Sequence, residues 1–322
     1  MYSVYDRWPE IAKTAFQSDL EECKFSDINH IVFAGMGGSG AIGSVFSSIL
    51  SKSKIHVSVV KGYLLPKTVD KDTLVVTTSI SGNTIETLTA LNSSTKLECK
   101  IISCSSGGKM EDFCKKNNVE YRKIPLIHSP RASFTGFLYS MLKILNPVIP
   151  INQEEVYESI KELEKMKKKI SSNNLNFDNP AIDLAKWISG IPLIYYPAGL
   201  QAAAVRFKNS LQENSKIHAI TEDVVESCHN GIVAWEQPSK IMPILIQGND
   251  DYIKTKERWE IVKEYFKTKN IEYKEILSGN GSILTKLLRL IYLLDYCSIY
   301  RAVLSKMDPT PIPSINFVKN RL

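Results

Sequence analysis

Short apolar runs alternate with helical periodicity along most of the chain. From residue 30 onward, strands are predicted at HIVFAG, HVSVVKGY, TLVVTTS, KIISCSS and VEYRKIPL, with helical segments such as SGAIGSVFSSIL between them. A connecting helix is predicted at QEEVYESIKELEKMKKKI, and further strands follow at IPLIYYPAG, IMPILIQGN and IEYKEIL. Apolar strands separated by helices are typical of a parallel sheet covered on both faces. The pattern predicts an α/β protein with two doubly wound domains, 1–150 and 151–322, each with a mainly parallel sheet flanked by helices.

Composition and charge narrow the class of protein. Hydrophobic residues make up 43% and charged residues 23%, the balance of a globular protein. The net charge of +6 is spread along the chain, and its densest run, KMKKK, lies in a Glu-rich helix, which favours a solvated face over nucleic-acid binding. The six cysteines form no C-x-x-C pair, and the apolar runs are too short for a membrane span. We expect a cytoplasmic protein with reduced thiols that binds no metal, nucleic acid or membrane.

A glycine-rich loop follows the first predicted strand. Gly35, Gly37 and Gly40 satisfy the spacing G-x-G-x-x-G, which is the dinucleotide fingerprint but is weak evidence alone. The second strand ends at Lys61 instead of the acidic residue that holds a ribose hydroxyl in NAD sites. A phosphorylated ribose would accept a lysine, so an NADP-dependent oxidoreductase stays an alternative.

A second loop, after the third predicted strand, is rich in hydroxyl side chains. Thr78, Ser79, Ser81 and Thr84 come just before a predicted helix, whose N-terminal N–H groups attract anions. One helix cap needs one hydroxyl, so capping alone explains only part of this loop. Ser39 adds a hydroxyl from the first loop. Both loops follow parallel strands, so we expect them to meet at one sheet edge and bind a compact phosphomonoester.

Five segments carry a resemblance to a known family. GMGGSG, SISGNTIET, SPRASF, RFKNSLQENSK and CHN resemble the bifunctional phosphoglucose/phosphomannose isomerases of archaea, which have the sugar isomerase (SIS) fold. The first two segments are shared by all SIS proteins, whereas KNSLQEN and CHN point to the isomerases. The resemblance implies two SIS domains in a homodimer with its active site at the subunit interface. It also implies interconversion of glucose, mannose and fructose 6-phosphates without metal or cofactor.

The resemblance assigns roles to residues of this chain. The substrate phosphate is expected to lie against Gly38, Ser39, Ser79, Ser81 and Thr84. Glu213 would be the catalytic base, Arg131 would face the reacting carbons, and His229 of the partner subunit would open the sugar ring. These residue types suit the chemistry. A carboxylate moves a proton between two carbons, a permanently charged guanidinium stabilises the enediolate, and a histidine titrates near neutrality.

Each assignment has an alternative. The sequence reads as a continuous helix through LQAAAVRFKNSLQEN, on which Glu213 would be an exposed residue near two lysines. His218 lies nearer to Glu213 and competes with His229, although it begins a predicted strand, IHAI. Arg131 would otherwise pair with a carboxylate on the surface. A sugar-phosphate-sensing SIS protein without catalysis is a further alternative, but such regulators carry a helix-turn-helix domain, for which the segment before His30 is too short.

The C-terminal segment departs from the family pattern. In the family, activity on mannose phosphate is tied to a threonine near a TP element, and this chain reads MDPTPIPSINFVKNRL. An ungapped alignment places Ile312 at that position, and Thr310 offers its hydroxyl two residues earlier. Three prolines predict an irregular loop. We therefore expect a shifted turn in which Thr310 determines substrate specificity.

Overall fold

The computed structural model describes residues 1–321, which form two compact units. The N-terminal unit consists of residues 3–161 together with 282–285, and the C-terminal unit consists of residues 162–281 and 286 onward together with residues 1–2. Each unit has its own parallel sheet flanked by helices, so the predicted fold class is confirmed. None of the helices found in residues 1–321 is long and apolar enough to cross a membrane.

The N-terminal unit is built on a five-stranded parallel sheet in the order β2-β1-β3-β4-β5. Its strands are β1 (His30–Ala34), β2 (His56–Val60), β3 (Thr73–Ser79), β4 (Lys100–Ser105) and β5 (Glu120–Lys123). Every residue of β1 and β3 is buried, as a central position in a doubly covered sheet requires. These are the five strands that the sequence predicts. The strand order reverses between β1 and β3, so the loops that follow these two strands lie together at the carboxyl edge of the sheet.

Helices cover this sheet and fix the segment that carries Arg131. They are α1 (Tyr2–Tyr5), α2 (Trp8–Phe16), α3 (Gly37–Leu50), α4 (Ile85–Ser94), α5 (Gly108–Asn117) and α6 (Phe134–Ile144), whereas α7 (Gln153–Ile170) begins in this unit and ends in the C-terminal unit. The sequence did not predict α1 and α2. Trp8 is fully buried, its ring stacks on Tyr5 at 4.5 Å, and its indole N–H donates to the carbonyl of Ala132 at 3.1 Å. The N-terminal helices thus hold the chain just before α6.

The C-terminal unit has a four-stranded parallel sheet in the order β7-β6-β8-β9. The strands are β6 (Ile191–Tyr196), β7 (Ile220–Asp223), β8 (Ile241–Gln247) and β9 (Lys274–Leu277), and the helices are α8 (Pro180–Trp187), α9 (Gln201–Ser210), α10 (Val224–Ser227), α11 (Ile253–Thr268), α12 (Ile283–Leu304) and α13 (Pro313–Lys319). The predicted strand at IHAI is wrong in its position, because β7 begins only at Ile220 and His218 precedes it as an exposed residue. A buried cluster around Trp259, Phe266 and Trp235 packs beneath the sheet.

Candidate active site

Loop 1, residues 35–40, comprises the connection after β1 and the first turn of α3, and it contains two close backbone approaches. A Cβ atom on Gly35 would lie 2.8 Å from the carbonyl oxygen of Thr78, at the end of β3. A Cβ atom on Gly40 would lie 2.7 Å from the carbonyl oxygen of Gly35. Both distances are shorter than a van der Waals contact. Glycine is therefore needed at these positions so that loop 1 can lie against the end of the neighbouring strand.

Loop 2, residues 79–84, joins β3 to α4 and carries three hydroxyl side chains. The hydroxyl of Ser79 donates to Oγ1 of Thr84 at 3.0 Å, and Oγ of Ser81 accepts from the main-chain N–H of Asn83 at 3.3 Å. Thr84 directly precedes α4, yet within the described chain its side chain makes no capping hydrogen bond to that helix. The Thr84 side chain therefore does not cap α4.

The loop after β4 and the first turn of α5 pack against loop 2 and support it. The main-chain N–H of Met110 donates to the carbonyl of Gly82 at 2.9 Å. Gly82 has a positive φ of 72°, and a Cβ atom there would lie 1.7 Å from the carbonyl oxygen of Gly107. Only glycine fits this position without displacing the backbone of the supporting loop. The turn that separates Ser81 from Thr84 is thus rigidly determined by packing.

Loops 1 and 2 are joined directly by a hydrogen bond. The main-chain N–H of Ile80 donates to Oγ of Ser39 at 3.2 Å, and Ser39 is almost completely buried. The carbonyl of Ile80 in turn accepts the hydroxyl of Ser106 at 2.7 Å. The two loops therefore form one hydroxyl-rich edge, as the sequence predicts from the ends of the parallel strands.

Arg131 lies beside this edge in the segment before α6. The residue is only 8% exposed. The carbonyl oxygen of the preceding Pro130 lies 3.5 Å from the position of a Cβ atom on Gly38, so the segment contacts loop 1. The hydroxyl of Ser133 accepts from the N–H of Ile127 at 2.8 Å and fixes the turn. A largely buried arginine is thus carried by a segment whose main chain contacts loop 1.

Lys61, at the end of β2, packs over loop 1. Its Cγ and Cε atoms lie 3.3 Å from the position of a Cβ atom on Gly40. A cation at this edge attracts phosphate, but it provides no acceptor for the ribose hydroxyls of NAD. Within residues 1–321, no group of three or more His, Cys, Asp or Glu side chains is arranged to hold a metal ion.

Glu213 lies in a π-helical turn, residues 211–215, that follows α9 directly. The turn ends at Lys216, which adopts a left-handed φ of 58° and donates its N–H to the carbonyl of the first residue of the turn. Glu213 is half-buried, whereas the next two residues, Asn214 and Ser215, are buried. The predicted helix through QEN is therefore continuous, but its last turn is π-helical and not α-helical. We call this segment the base turn.

Lys216 connects the base turn to the C-terminal loop, residues 307–312. Its ammonium group donates to the main-chain carbonyl of Glu213 and, at 2.8 Å, to that of Pro311. The loop that carries the predicted specificity residue is therefore adjacent to the turn that carries the predicted base.

Thr310 and Ile312 occupy different environments in this loop. Thr310 is exposed, and hydrogen bonds from its N–H and its hydroxyl lower the pKa of Asp308. Ile312 is half-buried and directly precedes α13. A hydroxyl that donates to a carboxylate still has lone pairs with which it can accept a hydrogen bond from a ligand.

His229 lies on an exposed turn after α10. Its main-chain N–H donates to the carbonyl of Glu226 at 2.9 Å, and the side chain of Asn230 donates to the Glu226 carboxylate at 2.7 Å. The carboxyl group of Glu222 packs against Gly231. Burial raises the pKa of Glu222, and the charge of Glu226 raises it further. Sequence reasoning missed this pair of glutamates. Glu222, Glu226 and Asn230 follow one another at intervals of four residues, and this spacing is the signal in the sequence that could have found the two glutamates.

Comparisons with known proteins decide the family. Residues 24–115 match the SIS domain, and residues 177–322 match the bacterial phospho-glucose isomerase C-terminal SIS domain. A bifunctional phosphoglucose/phosphomannose isomerase of Caldicellulosiruptor bescii is 34% identical over 99% of this chain and 98% of its own length. The chain belongs to this family. A second member, from Aquifex aeolicus, is 33% identical over 98% of this chain and 94% of its own length. The predicted resemblance is confirmed.

The fold of this family member recurs among solved structures. A hypothetical protein of Thermus thermophilus superimposes with a TM-score of 0.75 and covers 98% of this chain and 88% of its own. The two sequences are 14% identical, so this likeness concerns the fold alone.

The hydroxyl groups of loop 2 are expected to form hydrogen bonds with a bound phosphate. Ser81→Ala and Thr84→Ala should each weaken the binding of inorganic phosphate by about 1.5–3 kcal/mol, because each removes a hydrogen bond to a charged group. Isothermal titration calorimetry measures this affinity directly. The control is Ser93→Ala, near the other end of α4, whose hydroxyl donates to the carbonyl of Thr89 at 2.9 Å. Unchanged affinity in both loop variants would show that phosphate binds elsewhere.

Proposed function

We propose that this chain interconverts glucose 6-phosphate and mannose 6-phosphate with fructose 6-phosphate by proton transfer through an enediol. The relatives named bifunctional phosphoglucose/phosphomannose isomerase support the reaction and its substrates. The hydroxyl-rich edge formed by loops 1 and 2 supports a phosphomonoester, for which Gly38, Ser39, Ser79, Ser81 and Thr84 would be the ligands. The domain boundary predicted near residue 150 is part of the same proposal, with the phosphate loops before it and the base after it.

Glu213 is proposed to be the catalytic base because of its position in the structure. Its carboxylate belongs to a half-buried residue in a π-helical turn whose neighbours are buried and hydrogen-bonded. Such turns are frequent at functional sites. In the proposed mechanism this carboxylate takes the proton from C2 of the open-chain aldose phosphate and returns it to C1, while the hydroxyl proton on O2 is transferred to O1. Arg131 would stabilise the negative charge that develops on the enediolate.

Glu213→Gln tests the assignment of the base. The amide keeps the size and the hydrogen-bonding capacity of the side chain but cannot take a proton, so kcat should fall by roughly 10²–10⁴-fold or more while substrate still binds. The measurement is a coupled assay of fructose 6-phosphate conversion to glucose 6-phosphate. Glu257→Gln, on the exposed face of α11, is the control and should keep full activity. A Glu213→Gln enzyme with normal kcat would disprove the role.

We also propose that the active enzyme is a cytoplasmic homodimer in which His229 opens the ring of a sugar bound to the partner subunit. His229 is exposed on a turn fixed by hydrogen bonds to Glu226, so it is accessible to a second chain. His218 is exposed as well, but it precedes β7 and lies in the segment that leaves the base turn. The family motif CHN favours His229.

A complementation experiment tests this arrangement. Glu213→Gln and His229→Ala should each be nearly inactive as homodimers. When the two chains are co-expressed with different tags and the mixed dimer is isolated, activity should return, because one of its two sites then combines an intact base with an intact histidine. An isolated mixed dimer that remains inactive would mean that His229 acts within its own subunit.

Substrate range is proposed to depend on Thr310. Glucose and mannose 6-phosphates differ only at C2, so one base can serve both only if the enediol rotates within the site. A hydroxyl group accepts hydrogen bonds in several orientations, whereas an isoleucine side chain offers none. The contact of Lys216 with the C-terminal loop places Thr310 on a segment adjacent to the base turn.

Thr310→Val therefore should lower kcat/KM for mannose 6-phosphate selectively. The loss of one hydrogen bond corresponds to about 0.5–1.5 kcal/mol, which is severalfold in rate. The measurement is kcat/KM for both aldose phosphates. Thr310→Ser keeps the hydroxyl and should retain the activity of the parent on both. An equal effect of Thr310→Val on both substrates, or no effect, would exclude this role.

A further inference from the structure

Two buried polar side chains of α12 face α9 and the base turn that follows it. Asp295 and Ser298 are both completely buried. The hydroxyl of Ser298 accepts a hydrogen bond from Nδ2 of Asn214 at 2.8 Å and donates to the carbonyl of Asp295 at 2.6 Å. The carbonyl of Ser298 accepts the hydroxyl of Ser215 at 2.6 Å. Ser298 therefore binds both of the residues that directly follow Glu213.

The Asp295 carboxylate holds the preceding helix in the same way. One of its oxygens accepts from Nε and Nη2 of Arg206, at 3.1 and 2.6 Å, and the other accepts from the hydroxyl of Ser210 at 2.7 Å. The side chain of Arg206 is 5% exposed and that of Asp295 is 0% exposed. The salt bridge fixes α9 on α12, so that Ser298 contacts the base turn from a defined position.

The shape of the base turn decides where Glu213 points. Successive residues of an α-helix are rotated by about 100°, and a π-helical turn accommodates one additional residue. If this turn reverted to an α-helix, the side chains that follow the change would be rotated by about the same angle. Hydrogen bonds that stabilise the π-helical form therefore determine the direction of the Glu213 carboxylate.

We propose that Ser298 and Asn214 are positioning residues, whose mutual hydrogen bond keeps the base turn in the form that presents Glu213 to the substrate. This inference rests on the proposed function, in which Glu213 is the base. Ser298 touches neither substrate nor reacting atoms and acts through the backbone of the turn. Asn214 points into the unit, toward α12, while its neighbour Glu213 is half-buried.

A purely structural role would give a different result from a positioning role. If the bond between Asn214 and Ser298 only stabilised the fold, its loss would lower the unfolding temperature and leave the kinetics of the folded fraction unchanged. If it positions the base, its loss lowers kcat while KM stays close to that of the parent, because phosphate binding does not depend on the base turn. A misplacement of about 1 Å costs up to roughly 10²-fold in rate.

The test is a double-mutant cycle on kcat with Ser298→Ala, Asn214→Ala and the double variant. Each single change should lower kcat by about 10- to 100-fold with little change in KM. The double variant should be no slower than the slower single variant, since all three lack the same hydrogen bond. Ser298→Thr keeps the hydroxyl and should restore most of kcat. Ser159→Ala is the matched control, because Ser159 is a buried serine of the N-terminal unit that binds Tyr139 at 2.6 Å.

The outcomes are distinct. Loss of kcat in Ser298→Ala and Asn214→Ala but not in Ser159→Ala, with comparable losses of unfolding temperature, supports the positioning role. Normal kcat in both folded single variants, or fully additive losses in the double variant, overturns it. If Ser298→Ala does not fold, Asn214→Ala alone decides between these results. Glu213→Gln is assayed in parallel, because normal activity in that variant would refute the proposed base itself, whereas an inactive Glu213→Gln leaves only the positioning role in question.

Discussion

The Asp295 carboxylate is the constraint on which the arrangement of the base turn depends. A fully buried carboxylate is costly unless charged and hydrogen-bonding partners compensate for its lost hydration. Here Arg206 and Ser210 supply those partners from α9. Because the partners are specific in distance and direction, α9 and α12 have one relative arrangement, and the base turn starts from a fixed point. The π-helical backbone of that turn is stabilised by hydrogen bonds from the side chains of Asn214 and Ser215 to Ser298.

The hydroxyl-rich edge of the N-terminal unit follows a different principle. Loops 1 and 2 are shaped by close backbone contacts at glycines, among which Gly82 leaves no room for a side chain. The Ser39 hydroxyl then joins the two loops through the N–H of Ile80. Rigid, hydroxyl-rich loops suit a phosphate group, which needs fixed donors and is common to all the proposed substrates. A carboxylate base needs a defined direction instead, which a buried polar network provides.

Much of this architecture is predictable from the sequence, and the exceptions have physical reasons. Segments such as TLVVTTS are rich in β-branched residues and bounded by turn residues, so the sequence predicts β3 at its observed limits. The base turn was not predicted, because KNSLQEN has helical character and its π-helical form depends on contacts with Ser298, more than eighty residues away. Strand β7 is short and only partly buried, so periodicity does not mark its beginning. The roles of Glu213, His229 and Arg131 came from the family resemblance, since spacing alone does not distinguish them from surface residues.

The central claim is that a proton, and not a hydride, moves between C1 and C2. It is tested most directly by letting the enzyme convert each of the two aldose phosphates in deuterium oxide and locating the isotope by NMR. A carboxylate that holds the proton during the enediol stage exchanges part of it with solvent. The account therefore predicts deuterium at C1 of fructose 6-phosphate and at C2 of the recovered aldose phosphates. Complete interconversion with no deuterium on either carbon would contradict it and would indicate a hydride shift.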